Sequence, residues 1–533
     1  MSFDSYVDSY PFDVEGDLEN VQRRLGQGVL RGLPHVPPRE HRIPEAHWQS
    51  WERILASSRL TYNPDHPGDR LLVGRIGGRL IGIVDPRHAL ILGGTRAGKS
   101  VTLMSNLYFY RGSVLAIDPK GELASRTAEI RASMGQRVYI LDPLGRCDAS
   151  VARYRCAYNP MAMLRADSPT LIEDADRITD GIVVTTGQEK DPHWDEAAAG
   201  FITTLILFVA TAPQFKGRRN LITVRELLSR AKVPHESEAG YALAHDLIAQ
   251  ADAIRTGAIR AGGGDADLAE ALTAGAHDFY DKSPNEMDSV LSTARRHTRF
   301  LTYKALRDVL TGHDLNLWEL KAAPGGCTIY VCLPAGAMGT FSRWLRVLLN
   351  QVLDMAEITP APPHVPPVLV CLDEFPVLGR MKQLETAIGQ VAGFGLKLWI
   401  VLQDWNQGVD LYGKRWESFA ANAGIWQAFG LVDTATCEVL SQKLGRTPVI
   451  VGRAGDVGRK DAEAGRSGLS HGPELHPLMT PDELERTFSR GDPHRRQLVL
   501  WGGRRPMILQ RVEYFDDQSP VRGQFAMREV LYP

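Results

Sequence analysis

The stretch Leu90 to Met104, LILGGTRAGKSVTLM, holds the residues in this chain best suited to chemistry. Gly93, Gly98, Lys99 and Ser100 fit the spacing G-x-x-x-x-G-K-[ST], with an apolar run before it and a helical pattern after it. Glycines let backbone N–H groups turn inward around phosphate oxygens, and a helix opening there adds partial positive charge. The candidate nucleotide-binding segment is therefore Gly93, Gly94, Thr95, Arg96, Ala97, Gly98, Lys99, Ser100 and Val101. Lys99 is expected to contact the β- and γ-phosphates of ATP, and the Ser100 hydroxyl to ligate Mg²⁺.

Binding a triphosphate is not hydrolysing it. Hydrolysis needs a carboxylate for the metal and a group that positions the attacking water. VLVCLDEF, Val368 to Phe375, supplies five apolar residues and then Asp373 and Glu374. Ligands of open α/β sheets lie beyond the carboxyl ends of the strands, so this pair is expected beside the phosphate loop. Asp373 is assigned to Mg²⁺ and Glu374 to the water. Gln403, ending the run LKLWIVLQ, is the candidate sensor of the γ-phosphate. LAIDPKGELA places Asp118, Lys120 and Glu122 after another strand. They read equally well as a turn with a solvated pair or as part of the same face.

Those residues need a parallel sheet to hold them. HALILGG, SVLAIDP and RVYILDP are buried-strand runs separated by helical patterns, and the same texture returns in CTIYVCLP, PVLVCLDEF and KLWIVLQD. Between them the chain reads helical. The division expected is an irregular N-terminal arm over 1–70 with room for one or two helices, an α/β nucleotide domain in two halves (71–165 and 321–515), an inserted all-α domain over 166–320, and a tail over 516–533. GRAGDVGRKDAEAGRSGLSHG, Gly452 to Gly472, reads as a mobile loop.

A length of 533 residues suits two or three domains, and 44% hydrophobic with 23% charged residues suits a globular chain. The net charge of −2 gives no global basic footprint, so nucleic-acid contacts must be local. The six cysteines form no C-x-x-C pair and fit buried thiols in a reducing compartment. The N-terminus has neither the basic nor the apolar region of a signal peptide. The most membrane-like run, Phe201 to Ala212, has 12 residues where a span needs roughly 20, and reads as a core helix. No transmembrane helix and a cytoplasmic location are expected.

GGTRAGKS, VLAIDPKGELASRTAEIRASMGQRVYILDP, LDEFPVLGRMKQLETAIGQVAGFGLKLWIVLQD and WESFAANAGIWQAFGLVDTATCEVLSQKLGRT together resemble the type IV secretion coupling proteins. ARYRCAYNPM, LSTARRHTRFL and HPLMTPDELERTF add to the resemblance, which runs from about residue 71 to 515. It implies a homohexameric ring ATPase of the RecA-like DNA-translocase superfamily, assembling with nucleotide or DNA. It further implies partners: single-stranded DNA bound to a relaxase, secreted protein substrates, and inner-membrane components of the secretion system. By position, Gly98, Lys99 and Ser100 carry over as the phosphate loop, Asp373 and Glu374 as the carboxylates, and Gln403 as the sensor. Family members commonly begin with two membrane-spanning helices, which this sequence lacks; the expectation is then either a soluble variant that a partner holds peripherally at the inner membrane or a protein working away from a secretion channel. The resemblance also implies an arginine from the neighbouring subunit, for which Arg380, Arg295 and Arg296 are candidates.

Arg299 and Lys304, with Phe300 and Tyr303 between them, and Arg495 and Arg496 in RRQLVLWGGRRP, are candidate nucleic-acid contacts through phosphate neutralisation and base stacking, and each stretch reads equally as a helix or strand with one charged face and buried aromatics. Two other readings stay open. One is a nucleotide-assembled platform that binds relaxase or effector proteins without moving a strand. The other is a soluble HerA-like DNA translocase.

Overall fold

A computed structural model describes residues 45–184, 192–257, 265–360, 365–454 and 469–516. The chain divides into a small unit, residues 1–45 with 446–476, and a large one, residues 46–445 with 477–533. In the small unit, β10 (Arg446–Ala454) and β11 (Leu469–Pro477) form a two-stranded sheet.

In the large unit the strands are β1 (Leu71–Ile76), β2 (Arg79–Ile83), β3 (His88–Gly93), β4 (Val114–Ile117), β5 (Arg137–Leu141), β6 (Cys327–Val331), β7 (Val368–Leu372), β8 (Leu396–Leu402), β9 (Ala423–Phe429), β12 (Arg496–Trp501) and β13 (Met507–Gln510). They make one 11-stranded sheet in the order β2-β1-β13-β12-β9-β3-β8-β7-β4-β6-β5. From β9 to β5 every neighbouring pair is parallel, and from β9 out to β2 every pair is antiparallel. Residues of β3, β4, β6, β7, β8 and β9 are buried throughout, which is why these runs lack polar alternation. The fold is RecA-like α/β.

Helices α1 (Trp51–Ala56), α2 (Lys99–Leu107) and α3 (Glu122–Ser133) belong to the first part of the chain. Between β5 and β6 come α4 (Leu171–Ile182), α5 (His193–Thr211), α6 (Leu221–Arg230), α7 (Ala242–Arg255), α8 (Ala266–Tyr280), α9 (Pro284–His297), α10 (Lys304–Thr311) and α11 (Glu319–Ala322). The long α12 (Ala335–Ile358) leads from β6 to β7 and packs against α4. Gly181 permits that approach: a Cβ there would lie 2.6 Å from the Val347 Cγ2. The apolar core under these helices is continuous with one face of the sheet, joining Phe201, Phe208 and Leu272 to Leu345, Leu372 and Ile400.

Several expectations are corrected. Within residues 45–70, α1 is one of the helices the arm had room for, and Ile54, Leu60 and Tyr62 are buried. The remainder of the N-terminal arm lies outside the described residues, as does the C-terminal tail after Asp516. The ends of the expected loop, 452–454 and 469–472, lie in strands, continuing the β-branched run Thr447, Val449, Ile450 and Val451; 455–468 is outside the described residues. Residues 446–476, which hold these strands, belong to the small unit. Helix α5 is longer than its apolar run, because a polar first turn extends it to 19 residues. Length and composition alone would let it cross a membrane, yet its apolar part is buried in the core, as a core helix requires.

Candidate active site

Strand β3 ends at Gly93 and α2 begins at Lys99, so the glycine segment is the turn between a buried strand and a helix N-terminus. Its shape depends on left-handed backbone at Arg96 (φ 58°) and Gly98 (φ 99°). It also leans closely on the end of β9. Gly94 N–H donates to the Gly430 carbonyl at 3.1 Å, and a Cβ on Gly94 would meet that oxygen at 2.6 Å. The Lys99 ammonium folds over the loop, donating to the Gly93 and Gly94 carbonyls at 2.6 and 3.0 Å.

Strand β8 lies between β3 and β7. The two outer strands nevertheless converge at their carboxyl ends: the Ser100 hydroxyl donates to Asp373 Oδ2 at 2.9 Å across 273 residues of sequence. Burial pushes the Asp373 carboxyl up to about 6; the Ser100 hydrogen bond works against this, and neighbouring Glu374 reinforces it. Burial likewise lowers the Lys99 ammonium, while Asp373 and Glu374 pull it back up. A hydroxyl and a carboxylate sharing one point form the oxygen donor set that Mg²⁺ prefers, and the glycine turn leaves the backbone open to phosphate. The residues fit Mg-ATP.

Glu374 is steadied by its aromatic neighbour. Phe375 is buried with ring centroids 6.0 Å from both Tyr412 and Phe419, anchoring the turn after the acidic pair. Gln403 bridges the two halves of the site, accepting from the Thr95 hydroxyl at 3.1 Å and approaching Glu374 Oε1 at 3.5 Å through its amide. Helices α13 (Lys382–Ala387) and α14 (Trp405–Tyr412) flank β8 in the chain. The Gln403 backbone N–H donates to Gln407 Oε1 at 2.8 Å, locking the turn from β8 into α14.

Asp118, at the end of β4 beside β7, is buried and accepts from Ala124 N–H at 2.9 Å. Burial pushes its carboxyl up to about 7, the Ala124 bond restrains it, and the Asp373 charge pushes further. Lys120 is close enough for its charge to act on both Lys99 and Asp373. The DPKGE turn therefore shares the face of the site, the second of its two sequence readings.

The candidate arginines are dispersed. Arg380 pairs with Glu385 at 2.9 Å; Arg296 pairs with Asp195 at 2.8 Å; Arg295 donates to the Leu228 carbonyl at 3.0 Å. Arg495 pairs with Glu513, and Arg496 with Asp492 at 2.9 Å. Arg299 and Lys304 are exposed, but the aromatics between them do not offer stacking faces. Phe300 is buried, and Tyr303 packs edge-on against Phe341 with centroids 5.6 Å apart. Core packing of a short helix–turn claims both rings.

Two residues at the loop carried no local signal. Gly430 is the backbone on which Gly94 rests. Arg511, just after β13, donates to the Ala97 carbonyl and lies 5.2 Å from the Phe429 ring centroid. Only a strand-end position marks either of them in the sequence.

Residues 39–531 match the family described as Type IV secretory system Conjugative DNA transfer. A conjugal transfer protein TraG of Escherichia coli is 25% identical over 415 residues, 75% of this chain and 62% of that protein. Protein VirD4 of Rhizobium radiobacter is 23% identical over 453 residues, 81% of this chain and 57% of that protein. The chain thus spans about three-fifths of the length of these curated relatives. Among solved structures, the plasmid coupling protein TrwB in complex with ADP and Mg²⁺ shares the fold with a TM-score of 0.59 at 16% identity, covering 90% of this chain and 96% of that one.

Proposed function

Because the chain belongs to the Type IV secretory system Conjugative DNA transfer family, we propose that it is an Mg-ATP-hydrolysing coupling ATPase. In this reading it assembles as a homohexameric ring and moves single-stranded DNA with its relaxase, or a protein substrate, toward inner-membrane secretion components. The observation that carries the proposal is the 2.9 Å contact between Ser100 and Asp373, which unites the phosphate loop with the acidic pair.

Ser100 and Asp373 would hold Mg²⁺, whose positive charge, when bound, would offset the negative charge of the phosphates. The chain's own residues do the rest. Loop N–H groups and Lys99 cradle the phosphates, Ser100 and Asp373 hold the metal, and Glu374 accepts the proton of the attacking water. Gln403, touching both Thr95 and Glu374, couples the occupancy of the loop to the position of the base.

The test is ATP turnover with and without single-stranded DNA. Lys99→Ala is expected to remove both nucleotide binding and turnover. Glu374→Gln is expected to bind ATP while turnover falls about 10²–10⁴-fold. If DNA stimulates nothing and both variants still capture relaxase or effector proteins normally, the chain is a recruitment platform and the motor reading is wrong.

A further inference from the structure

Among the inserted helices, the loop from α6 into α7 brings together three side chains that can ligate a metal. His235, Glu238 and His245 each place one ligand atom within 4.8 Å of the other two. Both imidazoles are half-buried, with ring centroids 4.4 Å apart, and Glu238 is exposed. The loop is closed on itself by its backbone: His235 N–H donates to the Gly240 carbonyl at 3.1 Å, and Ala242 N–H to the Val233 carbonyl at 2.9 Å. No residue of the phosphate-loop site takes part.

The hydrogen bonds show what the cluster calls for. His245 Nε2 lies 2.9 Å from the Ala239 carbonyl oxygen, which can only accept, so Nε2 carries the ring proton. The neutral ring then turns the bare lone pair of Nδ1 toward Glu238 Oε2, 3.0 Å away, and an ionised carboxylate is also only an acceptor. Two acceptors at that distance repel each other unless a cation joins them. A metal-bound histidine donates its second N–H to a backbone carbonyl or carboxylate, which is the bond Ala239 receives here. The 3.0 Å spacing is also close to the about 3.3 Å between two ligands of a tetrahedral zinc ion. His235 is the third donor. Its Nδ1 accepts from the Ser237 and Glu238 N–H groups at 3.2 and 3.0 Å, two donors sharing one lone pair. A metal at Nδ1 takes that lone pair over and leaves both N–H groups to water on an exposed loop. We propose that His235, Glu238 and His245 bind a divalent transition-metal cation of the zinc class, with water completing its shell. Two ring nitrogens and a carboxylate oxygen suit Zn²⁺, whereas Mg²⁺ asks for oxygen donors. The ion clasps the first turn of α7 to the loop before it. This site stands apart from the ATPase reading and does not rest on it.

The test is calorimetric titration of the untagged, chelator-treated full chain with Zn²⁺, in the absence of nucleotide and with Mg²⁺ as competitor. One zinc ion per chain is expected to bind, to resist Mg²⁺ and to raise the melting temperature. His235→Ala, Glu238→Gln and His245→Ala are each expected to weaken zinc about tenfold or more and to abolish the rise in melting temperature. ATP binding in the same variants is expected to stay at the wild-type level, which shows that they fold. Co²⁺ in place of zinc is expected to give visible absorption without the thiolate charge-transfer band that cysteine ligands would add. No zinc uptake by the wild-type chain overturns the proposal, and the Glu238–His245 contact is then an ion pair closed by a proton. Zinc binding of wild-type strength in either histidine variant, or a thiolate band with Co²⁺, also overturns it, because the ion then sits elsewhere.

Discussion

Gly430 shows how much a single hydrogen in place of a methyl matters at the loop. Its φ is 61°, and a Cβ there would stand 2.3 Å from the Ala97 Cβ. Gly430→Ala is expected to push Ala97 and weaken ATP by about tenfold or more, in keeping with the ~1–3 kcal/mol of overpacking, as read by calorimetric titration. An unchanged affinity would mean the loop does not need its rest on β9. Asp118 gives a second residue-level expectation, this time in pH. Its folded value near 7 lies above the ordinary 3.8, so the folded chain keeps a proton that the unfolded chain loses. That contribution is full below about pH 4 and is lost as pH rises through 7. Asp118→Asn should therefore raise the melting temperature relative to wild type at pH 8 and give little or no gain at pH 4. Of the site itself, the phosphate loop and the acidic pair were legible because each is a contiguous string whose chemistry dictates its residues. Gly430 and Arg511 were not, because they reach the loop only through strand pairing across more than 300 residues, as in Leu92 with Ala428.

At the scale of elements, the sheet was legible where burial on both faces erases alternation, as in β3, β7 and β8. The same criterion failed for β10 and β11, whose exposed Val449, Ile450 and Leu475 sit in a two-stranded ribbon rather than a core. Phe300 and Tyr303 turn inward, the buried-aromatic reading of a helix with one charged face. The junction of α4 with α12 depends on Gly181 for a different reason from the loop glycines: its backbone is ordinary helix, and only space is at stake. Gly181→Ala would place a Cβ 2.8 Å from the Val347 Cα, backbone that cannot step aside cheaply. The expected cost is about 1–3 kcal/mol, read as a lowered melting temperature with ATP affinity preserved. Loss of ATP binding in that variant would mean the helical junction is coupled to the nucleotide site.

For the molecule as a whole, the near-zero net charge sets the conditions of any interaction with DNA. A single subunit offers scattered cations, many already paired, whereas a ring repeats each unpaired one around a shared pore. Native mass measurements with Mg-ATP and single-stranded DNA are expected to give a six-fold species. DNA affinity should fall steeply with salt, with a slope reporting the phosphates neutralised. A chain that stays monomeric under every combination of ligands would remove the ring from the mechanism.

The strand that carries the phosphate loop has a further consequence, for biogenesis. Both hydrogen-bonding neighbours of β3 come from late in the chain, with Leu90 paired to Ile400 on one side and to Trp426 on the other. At about 5–20 residues per second of synthesis, the run HALILG must wait roughly 15–60 s on the ribosome before either partner emerges. During that interval the future phosphate site is an unpaired strand, apolar after His88, the kind of segment that aggregates or recruits chaperones. The strand on which nucleotide binding depends is thus also a vulnerable one in the nascent chain.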